Sequence, residues 1–254
     1  MRGSVEVLAG RSSVREALAA GRRTVHKIVM GEGVRQTAVI SDILRLCREG
    51  DVPVVRAERR VLDSLSANLA HQAVVAQVSA YPYVELAELM AVSRRRNEAP
   101  FLLALDSLQD PQNVGSLLRT AEAVGVHGVI IPTRRSVGIT PAVSRASAGA
   151  VEHLRIARVT NLARALDELK ALGVWVVGVE DRPGAQDYRA VSLDMPLALV
   201  VGSEGRGMRR LTAEKCDLLV RIPMRGRIGS LNVSVAGSIV LYEAWSARAV
   251  PGDK

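Results

Sequence analysis

The chain has 254 residues, 48% of them hydrophobic, with 34 basic against 26 acidic side chains and a net charge of +8. That apolar content supports a sizeable core and excludes wholesale disorder, and the length allows one large domain or two small ones. No apolar run reaches a membrane span, the N-terminus lacks the apolar core of a signal peptide, and the basic balance favours a polyanionic partner.

In chain order, the first part reads as a small α/β unit. Ser12, a good N-cap type, opens a helix to Ala20, and Val25–Met30 forms a short strand. Val39, Ile40, Ile43, Leu44 and Cys47 recur at helical spacing and predict a helix over Thr37–Arg48. Val52–Val55 and Val74–Val78 read as strands, with a short helix, Arg59–Leu65, between them. Tyr81-Pro82-Tyr83 breaks the pattern. A short helical run, Glu85–Val92, leads into the charged stretch Arg94-Arg-Arg-Asn-Glu-Ala-Pro100. These features assign residues 1–80 to a first domain, 81–98 to a linker and 99–254 to a second domain.

The second domain alternates strand and helix. Strands are predicted at Phe101–Leu105, Gly128–Ile131, Leu154–Ala157, Val174–Val179, Leu197–Val201 and Leu218–Ile222. Helices begin near Val114, Pro141, Asn161, Met208 and Asn232. Such alternation implies a mostly parallel sheet covered on both faces.

Three polar loops lie where strand-like runs meet helices, the edge at which open α/β sheets bind ligands. In Asp110–Arg119, Asn113 opens a helix, and Arg119 follows nearly two turns later, near the same side. Taken singly, Asn113 is an N-cap and Arg119 a snorkelling arginine. In the second loop, Gly202, Gly205 and Gly207 have the wrong spacing for a dinucleotide fingerprint, and the Lys-Ser/Thr of a P-loop is missing. Glu204 at its centre would repel a pyrophosphate and suits a cationic or hydroxyl-bearing ligand. Its bland reading is a turn that needs glycine. The third loop has Ile222-Pro-Met224, a basic turn Arg225-Gly-Arg-Ile-Gly, and Ser230-Leu-Asn-Val-Ser234 opening a helix to about Ala247. Ser230 and Asn232 are both ordinary N-cap types. Arg134 and Arg135, after the strand ending at Ile131, are candidate phosphate contacts or a solvated basic turn.

Composition narrows the partner further. Lys27, Lys170, Lys215 and Lys254 are the only lysines, so arginine, whose planar fork suits phosphate, makes up the rest of the basic set. Seven aromatics are too few for a base-stacking platform, so RNA binding would lean on phosphates, shape and polar contacts. Cys47 and Cys216 lack paired spacing and read as two buried thiols in a reducing, cytoplasmic compartment, with no metal site.

Asn113-x-Gly115-x-x-x-Arg119, Gly202-x-Glu204-Gly205, and Ile222-Pro-Met224 followed by Ser230-Leu-Asn-Val-Ser234 together resemble three signature motifs. They are those of the SpoU branch of the SPOUT RNA methyltransferases, matched in order and spacing over Phe101 to Ala247. His127-Gly-Val-Ile-Ile-Pro and Arg158-Val-Thr-Asn-Leu-Ala-Arg164 look like the ribosomal-RNA members. His71-Gln72-Ala73-Val-Val-Ala is similar to the His-Gln-Gly-Val-Val-Ala of their substrate-binding domain, with Ala73 in place of the usual glycine. Gly229 likewise replaces a more usual serine.

The resemblance implies a trefoil-knotted α/β methyltransferase domain with a parallel sheet. It also implies a preceding ribosomal-protein-like RNA-binding domain and a homodimer. S-adenosylmethionine would bind bent, its adenine and ribose held by backbone at Gly202, Ile222 and Leu231, with Met224 lining the site. The implied reaction is methylation of a ribose 2′-hydroxyl on a guanosine of 23S rRNA, with tRNA the nearest alternative target. The family's motif gives the central role to Arg119. Arginine stays protonated, so phosphate clamping and polarisation of the hydroxyl suit it better than general base catalysis. Asn113, Glu204, Ser230 and Asn232 would position Arg119, the ribose and the sulfonium. Two rival readings are a nicotinamide-dependent oxidoreductase and a non-catalytic RNA-binding or ribosome-assembly protein. The glycine spacing disfavours the first, and the polar groups of all three loops disfavour the second.

Overall fold

The computed structural model describes residues 5–67 and 69–248. They fall into two compact units. One runs to Pro82 and takes in Ile139–His153; the other is Tyr83–Gly138 with the chain from Leu154 onward.

The first unit is a four-stranded sheet of β1 (Val5–Ala9), β2 (Val25–Gly31), β3 (Val54–Ala57) and β4 (Val74–Ser79), in the order β1-β4-β2-β3. β4 runs antiparallel to both neighbours, and β2 and β3 are parallel. Side-chain alternation gives the sheet two apolar faces. Ile28, Met30, Val74, Ala76 and Val78 pack with α1 (Arg11–Ala20) and α2 (Ala38–Glu49), while Val29 and Val75 meet Leu62 of α3 (Arg59–Leu65).

Local chemistry moves some boundaries from the sequence reading. β1, absent from it, pairs along its whole length with β4. α1 starts behind Gly10 without a side-chain cap, so Ser12 is inside the helix. Thr37 does cap α2, accepting from Ile40 N. β3 starts at Val54, not Val52, because the Val52 N–H is used in closing α2, donating to Cys47 O at 2.8 Å.

The second unit begins with α4 (Leu86–Arg96) and continues through β5 (Phe101–Leu105), α5 (Pro111–Ala123) and β6 (Gly128–Pro132). α6 (Pro141–Ala146) belongs to the first unit. The second unit resumes with β7 (Ile156–Val159), α7 (Leu162–Ala171), β8 (Trp175–Val179), β9 (Gln186–Asp187), β10 (Leu197–Val201), α8 (Arg210–Lys215), β11 (Leu218–Arg221) and α9 (Val233–Arg248).

Its strands form one sheet, β7-β6-β5-β10-β8-β11-β9, parallel throughout. β5, β6 and β10 are buried at every position, as a sheet covered on both faces requires. The chain leaves β5 toward β6 and β7, then returns to place β10 on the other side of β5. The loops leaving β5 and β10 therefore diverge at a switch point.

Two segments depart from the expected domain plan. Residues 81–98, read as a linker, contain α4, which opens with a Glu85/Glu88 capping box. Its Leu89 and Met90 share a core with Leu102 and Ile130. Residues 139–153 sit in the first unit, tied by side chains from the N-terminal part. Arg23 forms a fully buried ion pair with Glu152 at 3.1 Å, and Ser13 Oγ donates to Ser144 O. Among the described residues, no helix is long and apolar enough to cross a membrane. Cys47 is buried but Cys216 only half-buried; burial pushes their thiols up to about 11 and about 12, so both stay protonated near neutral pH.

Candidate active site

The loops after β5, β6, β8, β10 and β11 all leave the same, C-terminal edge of the parallel sheet. The loop after β10 folds back on itself. Ser203 and Gly207 exchange backbone hydrogen bonds at 3.0 and 2.9 Å, and Gly205 and Gly207 have φ of +75° and +65°. Gly202 is required by this turn: a Cβ there would lie 2.3 Å from Met208 N. A Cβ on Gly207 would lie 1.7 Å from Glu180 Oε1. The glycines thus serve the chain's own turn, which holds Glu204 at its exposed tip.

α5 begins one turn earlier than expected. Asp110 is its cap, accepting from Gln112 N and Asn113 N, with Pro111 in the first turn. Asn113 is therefore inside the helix, where its side chain is free for tertiary contacts. Its Nδ2 donates to Glu204 Oε2 at 3.2 Å, and its Oδ1 accepts from Asn232 Nδ2 at 2.8 Å. Asn232 Nδ2 also approaches Glu204 Oε1 at 3.4 Å, while Asn232 Oδ1 accepts from Ser234 N and Val235 N and so caps α9. One residue from each of the three loops meets in this trio.

Two clefts flank the trio. The larger, about 510 Å³, is lined by Gly202, Ile222, Met224, Ser230, Leu231 and Asn232, with Glu204 and the carboxylates Glu180 and Asp181. Every residue assigned to the cofactor from the sequence lies here. Ser230 is exposed and caps nothing; α9 starts three residues later, at Val233. The smaller cleft, about 420 Å³, is lined by Asn113, Arg135, Arg206 and Arg209 among others. Ser203, Glu204, Gly207 and Val233 line both.

Arg119 lines neither cleft, and Arg134 lies outside the smaller one while its neighbour Arg135 lines it. Six residues rotate a helix by about 600°, which leaves Arg119 about 120° around α5 from Asn113. Asn113 is accordingly buried and Arg119 exposed, not on the same side. Arg119 makes no hydrogen bond or ion pair among the described residues.

Sequence reasoning missed three groups. Glu180 follows β8 directly; its Oε1 pairs with Arg182 at 3.0 Å, and its buried Oε2 has no partner among the described residues. Asp106 follows β5 directly, is fully buried, and accepts from Arg209 N and Nε at 2.8 and 2.6 Å, which fixes the start of α8. Arg206 is the free arginine at the Gly202 turn. The first two share a signal, an acidic residue immediately after an apolar strand, that marks the ligand edge without any motif.

This arrangement suits a cationic ligand in the larger cleft. Glu180, Asp181 and Glu204 against one lining arginine, Arg221, leave its wall acidic and favour positive charge, while Ile222, Met224 and Leu231 supply apolar surface.

Residues 100–242 match the model of the SpoU rRNA Methylase family, and residues 7–84 match that for RNA 2′-O ribose methyltransferase substrate binding. The chain is 46% identical over 244 residues to YacO of Bacillus subtilis, a putative TrmH family tRNA/rRNA methyltransferase, with 96% of each chain covered. A putative TrmH family tRNA/rRNA methyltransferase of Staphylococcus haemolyticus is 46% identical over 97% of this chain and 98% of its own. The crystal structure of an AdoMet-bound rRNA methyltransferase from Sinorhizobium meliloti is similar, with a TM-score of 0.77 at 26% identity, over 97% of this chain and 88% of that one.

Proposed function

The chain belongs to the SpoU rRNA methylase family, and from that premise we propose that it methylates a ribose 2′-hydroxyl of RNA, on a guanosine of 23S rRNA, using S-adenosylmethionine. The observation that carries this reading is the convergence of all three motif loops on the Asn113–Glu204–Asn232 trio beside the larger cleft.

The residues present fit the cofactor. Backbone at Gly202, Ile222 and Leu231 would hold its adenine and ribose, and Met224 would line the apolar side. Glu180, Asp181 and Glu204 favour a sulfonium and an ammonium group. Bound S-adenosylmethionine supplies a methyl group made electrophilic by that sulfonium. Asn113 and Asn232 hold the Glu204 carboxylate in place before substrate arrives, so that no reorganisation is needed during transfer. Ser230, on the rim, offers its hydroxyl to the acceptor ribose.

Arg119 clamps the target phosphate and polarises the 2′-hydroxyl, but from a second copy of the chain. It lines neither of the two clefts beside the trio. Thr120, its neighbour, bonds to Ser238 of α9 at 2.8 Å, and α9 exposes Val235, Tyr242 and Trp245. A homodimer through α5 and α9 would cover this apolar face and carry Arg119 to the partner's cleft. The N-terminal unit binds the RNA, and the protein works in the cytoplasm.

Calorimetric titration with S-adenosylmethionine and, separately, NAD tests the assignment. Binding of the first alone supports it. Binding of NAD alone would favour the oxidoreductase, and binding of neither a non-catalytic RNA-binding protein.

A further inference from the structure

The turn that carries Glu204 is gripped at both ends by one buried residue. Asp106 follows β5 directly and is fully buried. Its N–H donates to Val201 O, just before the turn, at 2.8 Å. Its carboxylate Oδ2 accepts from Arg209 N, just after the turn, at 2.8 Å. The other carboxylate oxygen is engaged as well: Oδ1 accepts from Arg209 Nε at 2.6 Å and from Ser107 Oγ at 3.0 Å. Three donors on a carboxylate without exposed surface leave nothing for a ligand to touch.

The turn moves as one piece, because Ser203 and Gly207 bond to each other across it. Its opposite flank is held by Arg182, which donates to Met208 O at 3.0 Å while paired with Glu180. At the tip, Glu204 accepts from Asn113 and Asn232 at 3.2 and 3.4 Å. Those bonds are long, whereas the bonds of Arg209 to Asp106, 2.6 and 2.8 Å, are short and charge-assisted. The stem therefore dictates where the tip stands.

We infer that Asp106 is a positioning residue for the reaction. It touches no reactant, and by fixing both ends of the turn it sets the Glu204 carboxylate against Asn113 and Asn232. Its effect on catalysis rests on the methyltransferase reading above. A carboxylate displaced by about 1 Å loses the preorganisation on which rate depends, a misplacement that can cost roughly 100-fold.

The test uses the full-length protein. Asp106→Asn keeps the shape but sets an amide N–H against one of the Arg209 donors, which releases one end of the turn. Single-turnover methylation of rRNA should fall by about 30-fold, a coupling typical of residues in one network. S-adenosylmethionine affinity, measured by calorimetry, should change by less than about threefold, since Ile222 and Leu231 are untouched. Glu204→Gln removes the group being positioned, and in that background Asp106→Asn should cost less than about threefold further. Arg209→Lys keeps a cation beside Asp106 and loses the planar fork; it should give the same pattern at about fivefold, and it decides the matter should Asp106→Asn not fold. Losses that multiply across the two sites would overturn the inference. So would a folded Asp106→Asn protein with a lowered melting temperature and the wild-type single-turnover rate.

A second readout needs neither cofactor nor RNA. The side-chain amides of Asn113 and Asn232, assigned by their disappearance in Asn113→Ala and Asn232→Ala, report on the Glu204 carboxylate in heteronuclear NMR. Asp106→Asn should shift both resonances, and unmoved resonances would overturn the inference. If the wild-type protein binds no S-adenosylmethionine, it is the methyltransferase reading that fails, and the spectra alone decide whether Asp106 positions Glu204.

Discussion

Asn232 Nδ2 donates to Asn113 Oδ1 at 2.8 Å, joining the cap of the last helix to the first turn of α5 across 119 positions of sequence. The same two amides hold Glu204 from either side. Each side chain therefore has two duties, one in holding the fold and one in aiming a carboxylate between two clefts.

Asn232→Ala separates these duties. Loss of the α9 cap should cost about 1 kcal/mol of stability. Loss of the carboxylate's support should lower single-turnover methylation by about 100-fold, the lower end of effects seen when a preorganised donor is removed. Asn232→Ser restores a cap but not the amide bridge, so it should recover the melting temperature and not the rate. Recovery of both would make Asn232 a cap only.

The glycine turn gives a graded series. A Cβ on Gly205 meets open space, so Gly205→Ala carries only the left-handed backbone cost of roughly 1–2 kcal/mol. A Cβ on Gly207 meets the Glu180 carboxylate, and one on Gly202 meets the Met208 and Gly207 backbone. Calorimetry should find S-adenosylmethionine affinity nearly retained in Gly205→Ala and abolished in Gly207→Ala and Gly202→Val. Equal affinities across the three would detach this turn from the cofactor.

Ala73 stands at φ +63° in the loop where the resembling sequences have glycine. Ala73→Gly removes the left-handed penalty, part of which is offset by the greater freedom of glycine in the unfolded chain. The urea midpoint should rise by an equivalent of about 0.5–1 kcal/mol. A lower midpoint would mean that the alanine methyl contributes packing that outweighs its strain.

Arg119→Ala should lower turnover far more than it weakens S-adenosylmethionine binding. If the arginine acts in the partner's cleft, co-expressing Arg119→Ala with Asn232→Ala subunits should recover about a quarter of wild-type activity, since half of randomly assembled dimers have one intact site. No recovery would place Arg119 in its own subunit's site. Near-wild-type single-turnover rates for Arg119→Ala would remove it from catalysis.

The parallel sheet and its ligand edge were legible because apolar five-residue strands alternate with capped helices, a local signal. The trio was half legible: the resemblance made Asn113, Glu204 and Asn232 positioning groups of one site, but their local roles as caps and turn residues hid the bonds that join them. Arg119 was misplaced because 3.6 residues per turn do not divide into six. Residues 139–153 could not be assigned to the first unit, since what ties them there includes a buried Arg23–Glu152 pair whose members lie about half the chain apart. That pair also changes the meaning of an N-terminal truncation: deleting residues 1–80 would remove the unit that residues 139–153 pack into, together with the partners of Glu152 and Ser144. Glu180 belongs to no motif, and Arg206 lies inside the Gly202–Gly207 loop without an assigned role. They emerged only when the strand ends were brought to one edge.

The central claim is most directly tested by incubating the protein with methyl-labelled S-adenosylmethionine and, in parallel, rRNA and tRNA from cells lacking it, then mapping the label by nuclease digestion and mass spectrometry. The account predicts label in 23S rRNA, on the ribose of a guanosine, as a nuclease-resistant 2′-O-methyl linkage absent with Asn232→Ala. Label on tRNA ribose would move the substrate and keep the chemistry. Label on a base, or none from protein that binds S-adenosylmethionine, would contradict it.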